Sequence, residues 1–227
     1  MLLSAAVATA KRTYQDACGI ARALDTVGER WALMVVRELL LGPKRFTDIR
    51  TGLPALSADV LAQRLRELEQ SGVVQRRTLP PPAASQVYEL TPVGQALEPV
   101  VLALGRWGGV NLPRSPEGTG MSLDAALLSF PTLFDPSLAG DFAATVALRV
   151  AEDRFVARVA SGRFSVERGE AMAPDATIAA DPRTLIDVAH GRRALDDALG
   201  SGDMEIIGDA KLAERFLGLF PLPRREE

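Results

Sequence analysis

Between Asn111 and Gly120 the chain reads Asn-Leu-Pro-Arg-Ser-Pro-Glu-Gly-Thr-Gly. Two prolines, two glycines and small polar residues between apolar periodic segments are the composition of a linker. A break there divides the 227 residues into two halves, each long enough to bury its own core. Charge divides at the same place. The formal net charge of −3 hides 13 Lys/Arg against 10 Asp/Glu in residues 1–112, a net of +3, and 13 against 19 in residues 113–227, a net of −6. On charge, only the first half is a nucleic-acid candidate. The expected layout is an N-terminal extension over 1–14, a first domain over 15–110, the linker over 111–121, a second domain over 122–220 and a tail over 221–227.

The chain has one cysteine, Cys18, and one histidine, His190. A structural zinc site needs about four Cys/His ligands, so no metal is expected, and no intramolecular disulfide can form. There is no glycine-rich phosphate loop, nucleophile elbow or metal-ligand spacing, so neither a cofactor nor an enzyme is expected. His190, before Gly191, reads as a capping or solvated residue, and Gly208-Asp209 as a strand-to-helix turn with an N-cap. No stretch approaches the roughly 20 apolar residues needed to span a bilayer. The start is apolar first and basic afterwards, the reverse of a signal peptide. A cytoplasmic protein without membrane attachment is expected.

In the first half, Ile20 to Leu41 reads as helix, ended by Gly42-Pro43. A short helix over Phe46–Arg50 and a turn at Gly52-Leu53-Pro54 lead to a third helix, from Ser57 as N-cap to Gln70, stopped by Gly72. Two short β runs, 73–77 and 87–90, flank a proline-rich loop, and Thr91-Pro92 opens a last helix reaching about Trp107. This is the order of a winged helix-turn-helix.

On the Ser57–Gln70 helix, Leu61, Leu65 and Leu68 share one side and would anchor it. The opposite side carries Asp59, Gln63, Arg66 and Gln70, flanked by Ala58 and Ala62. Gln pairs with adenine edges and Arg with guanine, while small residues admit close approach. Ser57, Ala58, Asp59, Ala62, Gln63 and Arg66 are therefore the candidates for reading double-stranded DNA. Lys44, Arg45, Thr47, Arg64, Arg76 and Arg77, with Arg50, form the rim expected to meet phosphates. A solvated helix face with ordinary surface arginines is the competing reading.

Several segments resemble the HxlR-type bacterial regulators. They are Cys18 followed by Ala-Leu-Asp-Thr-Val-Gly-Glu-Arg-Trp-Ala-Leu (23–33), Arg-Glu-Leu (37–39) through Gly-Pro-Lys-Arg-Phe-Thr-Asp-Ile (42–49), Leu-Ala-Gln-Arg-Leu-Arg-Glu-Leu-Glu (61–69) and Tyr-Glu-Leu-Thr-Pro-Val-Gly (88–94). The resemblance spans about 15–108. It implies a homodimer, paired through its N-terminal and post-wing helices, on a two-fold operator. The stripe Leu97, Val100, Val101, Leu104 and Trp107 fits that pairing or an intrachain core. Some HxlR-type proteins sense electrophiles or oxidants through a cysteine at the position of Cys18, with Arg12 and Arg22 nearby here. The bland alternative is a small buried hydrophobe.

The second half begins with a helix over 122–134, with Pro131 an awkward breaker near its end. Strand patterns at 144–150, 154–159 and 163–168, with turns at Glu152-Asp153 and Ser161-Gly162, make an antiparallel meander. A fourth strand at 176–180, helices at 182–190 and 194–199, a strand at 204–207 and a helix at 209–220 complete an α+β domain with an antiparallel sheet. The runs at 174–178, 181–185, 194–202, 204–209 and 215–220 resemble a sterol-carrier-protein-type domain. That family encloses an apolar tunnel, which makes a small hydrophobic ligand the expected partner. Leu127, Leu128, Phe134, Phe155, Phe164, Ile178, Phe216 and Phe220, with Phe130, Leu133 and Leu185, are the tunnel candidates, and plain core is their other role. The whole reads as a dimeric DNA-binding regulator whose second domain binds a small apolar effector or supports dimer geometry. The rival is an accessory carrier or enzyme-associated protein that uses its winged helix for assembly.

Overall fold

The computed structural model describes residues 13–81, 84–113 and 120–222. Most of the N-terminal extension, residues 114–119 of the linker and most of the tail lie outside these.

The first helical stretch is two helices, not the single one its periodicity suggests: α1 (Gly19–Val27) and α2 (Ala32–Leu39). Gly28 closes α1 where a Cβ would fall 2.4 Å from the Leu24 carbonyl oxygen. Trp31 then takes a left-handed conformation (φ +79°) before α2, which a continuous helix excludes. α3 (Phe46–Gly52) follows, and Asp48 accepts a hydrogen bond from the Arg45 backbone N–H. α4 (Ala58–Gln70) starts at Ser57, whose hydroxyl accepts from Val60 N–H. Val35, Val36, Leu39, Ile49, Leu61, Leu65 and Leu68 pack between these helices as one core. β1 (Val74–Thr78) and β2 (Gln86–Leu90) pair antiparallel, with Val74 opposite Leu90 and Thr78 opposite Gln86. This hairpin is the wing. The expected last helix is again divided, into α5 (Pro92–Gln95) and α6 (Glu98–Asn111), with Pro99 in the first turn of α6, where its missing N–H costs nothing.

In the second half, α7 (Leu123–Leu133) carries Pro131 inside its last turn. Thr132 Oγ1, next to it, donates to the Leu128 carbonyl oxygen one turn back. α8 (Pro136–Ala139), not anticipated, precedes β3 (Ala144–Val150), β4 (Asp153–Ala160), β5 (Arg163–Arg168) and β6 (Ala176–Ala180). α9 (Pro182–Ala189), α10 (Leu195–Gly200), β7 (Met204–Gly208) and α11 (Ala210–Leu217) complete it. The sheet order is β5-β4-β3-β6-β7. The meander is present, but the sheet is not wholly antiparallel, because β6 pairs parallel with β3. After β5 the chain crosses to the free edge of β3 rather than continuing the meander, and that crossing reverses the relative strand direction.

One face of this sheet, including Val146, Leu148, Phe155, Ala157 and Ile178, is buried with Leu127 and Phe130 of α7, Leu185 of α9 and Phe216 of α11. Leu41 joins this same cluster and Leu40 and Leu102 pack against it, so the two halves are in direct contact across the linker.

Candidate nucleic-acid interface

α4 presents the face its sequence suggests. Asp59, Gln63, Arg66 and Gln70 are exposed, and Ala58 and Ala62 are half-buried beside them. Gln63 Nε2 donates to Glu67 Oε1 at 3.0 Å, which holds the amide along the helix. Ser57 is exposed, with its hydroxyl engaged as the helix cap. On the wing, Arg76 pairs with Glu69 at 2.8 Å and Arg77 with Glu89 at 2.9 Å, and both side chains remain open to solvent. The hydrogen bond from Arg76 to Glu69 raises the already high pKa of its guanidinium. Arg45 and Thr47 lie exposed at the start of α3, with Arg45 Nε donating to Ser85 Oγ at 3.1 Å. Arg50 is exposed on the same helix.

Two of the rim cations stand elsewhere. Lys44 is only 12% exposed and its ammonium lies between Glu38 and Asp124, so it does not face solvent as a phosphate contact would. Arg64 is buried on the α4 side opposite its exposed face, with Nη1 2.5 Å from Glu67 and 3.6 Å from Glu29. Asp124, brought by the fold, and Glu38 take the Lys44 charge, and Glu67, one turn along the same helix, takes that of Arg64.

α6 has no buried residue, and Val100, Leu104 and Trp107 are all at least half exposed. Leu97 and Val101 pack against the first domain's core. The stripe therefore splits, with its inner edge intrachain and its outer edge open. Ile20 and Leu24 of α1 are also exposed. Cys18 is exposed rather than a buried hydrophobe, and its Sγ accepts from Ala21 N–H at 3.3 Å as the cap of α1.

In the second domain the tunnel candidates Leu127, Leu128, Phe134, Phe155, Ile178, Phe216 and Phe220 belong to one buried core, against which Phe164 packs. The rings of Phe130, Phe134, Phe164, Phe216 and Phe220 close on one another, from 4.7 Å between the centroids of Phe130 and Phe220 to 6.5 Å between Phe130 and Phe216. Apolar rings at these spacings gain from mutual contact whatever space a ligand would want. Beside them a cleft of about 280 Å³ opens between Val188, His190, Leu195, Leu217 and Pro221. His190 is buried, not solvated. Its backbone caps α9, Nδ1 lies 2.9 Å from the Phe220 carbonyl oxygen and Nε2 2.9 Å from Ser129 Oγ. A carbonyl can only accept, so Nδ1 carries a proton toward Phe220, while Nε2 lies beside the Ser129 hydroxyl, which itself donates to the Ala126 carbonyl oxygen at 2.6 Å. Burial holds its pKa below the ordinary imidazole value, against the opposing hydrogen bond to Phe220.

Sequence spacing missed a further group, the buried carboxylates Glu38 and Asp124. Burial pushes the Glu38 carboxyl up. The Lys44 ammonium, with hydrogen bonds from Lys44, Ser122 and Arg37, outweighs that and holds it below the usual carboxylate value. Among the described residues no cluster of His, Cys, Asp and Glu could hold a metal ion, and no helix is long and apolar enough to cross a membrane.

Packed helices, an exposed polar face on α4 and a hairpin beside it define a winged helix-turn-helix protein joined to an α+β domain. Residues 26–116 match the HxlR-like helix-turn-helix family and residues 135–221 the SCP-2 sterol transfer family. The HTH-type transcriptional regulators YvaP and YodB of Bacillus subtilis are 41% and 39% identical over 86 and 85 residues. These cover 38% and 37% of this chain and 80% and 76% of theirs. The chain belongs to the HxlR-like family of helix-turn-helix transcriptional regulators, and carries an SCP-2 domain behind the helix-turn-helix. Among solved structures, quinone-bound YodB is 35% identical over 39% of this chain and 93% of its own, with a TM-score of 0.35. The oxidized redox regulator HypR is 33% identical over 43% and 100%, with a TM-score of 0.40. The sec-alkylsulfatase Pisa1 of Pseudomonas sp. is 20% identical over 40% of this chain, which spans 15% of that enzyme, with a TM-score of 0.39.

Proposed function

We propose that the chain is a dimeric regulator that binds a two-fold DNA operator and responds to a small apolar molecule held by its second domain. The exposed α4 face beside an open, arginine-bearing wing carries this reading. Ser57, Ala58, Asp59, Ala62, Gln63 and Arg66 lie where α4 would enter the major groove, with Gln63 and Arg66 making the base contacts. Arg45, Thr47, Arg76 and Arg77 would meet phosphates. The domain boundaries at 15–110 and 122–220 suit this division of labour. Ile20 and Leu24 of α1 with Val100, Leu104 and Trp107 of α6 form the pairing face, which leaves the two α4 helices free.

Footprinting of the full chain on the promoter of its own gene tests the reading. A protected two-fold site is expected, with affinity lost by roughly tenfold or more in Gln63→Ala or Arg66→Ala, as for loss of one bidentate base contact. Equal footprints from wild type and the double variant would remove these residues from the interface.

A second reading concerns Cys18. Its thiol is exposed at the start of α1, next to the proposed pairing face, and solved relatives include quinone-bound and diamide-treated YodB. Oxidation or alkylation there would then alter the dimer and release DNA. Diamide is expected to weaken operator binding by wild type and to leave Cys18→Ser unaffected; equal responses would exclude a sensing role.

A further inference from the structure

The linker separates the halves in sequence, but buried charge joins them in space. Glu38 of α2 and Asp124 of α7 are both 0% exposed. Lys44 stands between them, its Nζ 2.7 Å from Glu38 Oε2 and 2.6 Å from Asp124 Oδ2. Glu38 also accepts from Arg37 at 2.7 Å and from Ser122 Oγ, the N-cap of α7, at 2.6 Å. Asp124 pairs in addition with Arg168 of β5, which pairs with Asp153 of β4 and lies over the Phe155 ring. Alternating charges thus run from α2 through Lys44 and α7 to β5, from one domain into the other.

A buried cluster of this kind is poorly explained as a source of stability, since apolar residues of similar volume do as well or better. Its ends say what else it does. Lys44 exchanges two backbone hydrogen bonds with Tyr88 of β2, at 2.9 and 2.8 Å, so the residue that carries the central ammonium also roots the wing. Arg45, next in the chain, caps α3. At the other end α7 bears Asp124 in its first turn and sends Phe130 into the ring core two turns later. The space is tight, because a Cβ on Gly52 would fall 2.2 Å from Glu38 Oε2. A helix that moves when the rings rearrange must move Asp124, and a packed ion cluster repacks rather than stretches.

We propose that the Glu38–Lys44–Asp124–Arg168 cluster is the coupling site through which the state of the second domain's ring core sets the position of the wing. Its regulatory meaning rests on the function proposed above, but the coupling is a property of the chain and is measurable without DNA or ligand. Coupling of this kind requires an element whose equilibrium both ends bias, and α7 with Lys44 is that element.

Amide hydrogen exchange on the full chain tests it. Arg168 is half-buried and reaches the first domain's ion pairs through Asp124. Arg168→Gln is expected to speed exchange in Val74–Thr78 and Gln86–Leu90 by roughly fivefold or more while β6 and α9 exchange as in wild type, with Arg168→Lys restoring most of the protection. Phe220→Leu, which loosens the rings, should speed wing exchange in the wild-type background and add little in Arg168→Gln. Unchanged wing exchange, acceleration spread evenly through β6 and α9, or equal effects of Phe220→Leu in both backgrounds would each overturn the proposal. A chain that protects no promoter DNA would refute the regulator reading and leave the exchange result standing.

Discussion

His190 is buried against the Phe130 ring, where a charged imidazole has little to replace its lost hydration. Because burial depresses its folded pKa, the folded ring stays neutral while the unfolded ring protonates as pH falls through about 6.5. Its contribution to stability is therefore whole above that value and is lost progressively below it, levelling off once pH passes the folded pKa. Urea midpoints between pH 7.5 and 5.5 should fall for wild type and fall less steeply for His190→Asn. The variant should also lose about 1–3 kcal/mol at neutral pH, because the buried Phe220 carbonyl loses its hydrogen bond from His190 Nδ1. An identical pH slope in the two proteins would place the acid sensitivity elsewhere. Nothing in the sequence marks His190 as buried, since Gly191 after it suggests only a helix end. The α4 residues are the opposite case: Gln63 and Arg66 could be placed from periodicity because a helix face follows from spacing alone. Lys44 could not, because whether a cation faces water depends on which carboxylate the fold brings to it, here Asp124 from the other domain; Arg64, on the Leu61 and Leu68 side of α4 and paired with Glu67 one turn along, is a local case.

Among the described elements, α6 leaves an apolar edge uncovered. A helix carrying Leu104 at 51% and Trp107 at 55% exposure exposes surface that a second copy would bury. Leu104→Glu should weaken the proposed dimer by roughly a hundredfold, read by sedimentation, because an unpaired charge would enter an apolar interface. Dimerisation as tight as wild type would move the pairing face away from α6. Ser57, Thr91, Asp181 and Asp209 each cap a helix through the side chain, and these starts are readable because the capping chemistry is local. The break at Gly28–Trp31 was not, because the apolar period runs across it and only the left-handed Trp31 interrupts the helix. The parallel partnership of β3 and β6 was equally hidden. Strand periodicity reports which residues alternate and says nothing of which edge a later strand joins.

At the scale of the whole molecule, a ligand of the second domain has to open what is now a closed set of rings. Phe164 is the half-buried member of that set, and Phe220, fully buried, carries the carbonyl that meets His190 Nδ1. Native mass spectrometry of the protein purified from its host should find a retained hydrophobic molecule, released on unfolding. An empty domain that also ignores added hydrophobes would leave the second domain a structural role. The sequence by itself determined that there are two domains, one basic and one acidic, with a winged helix-turn-helix ahead of an α+β layer. These follow from composition, periodicity, capping and turn chemistry, all of which act over a few residues. Only the tertiary structure decided that Lys44 is withdrawn from the rim, that the tunnel candidates close into a packed core and that Glu38 and Asp124 tie one domain to the other. Burial and ion pairing join residues far apart in the chain, as Ser122 and Glu38 are, and no local pattern encodes such a meeting.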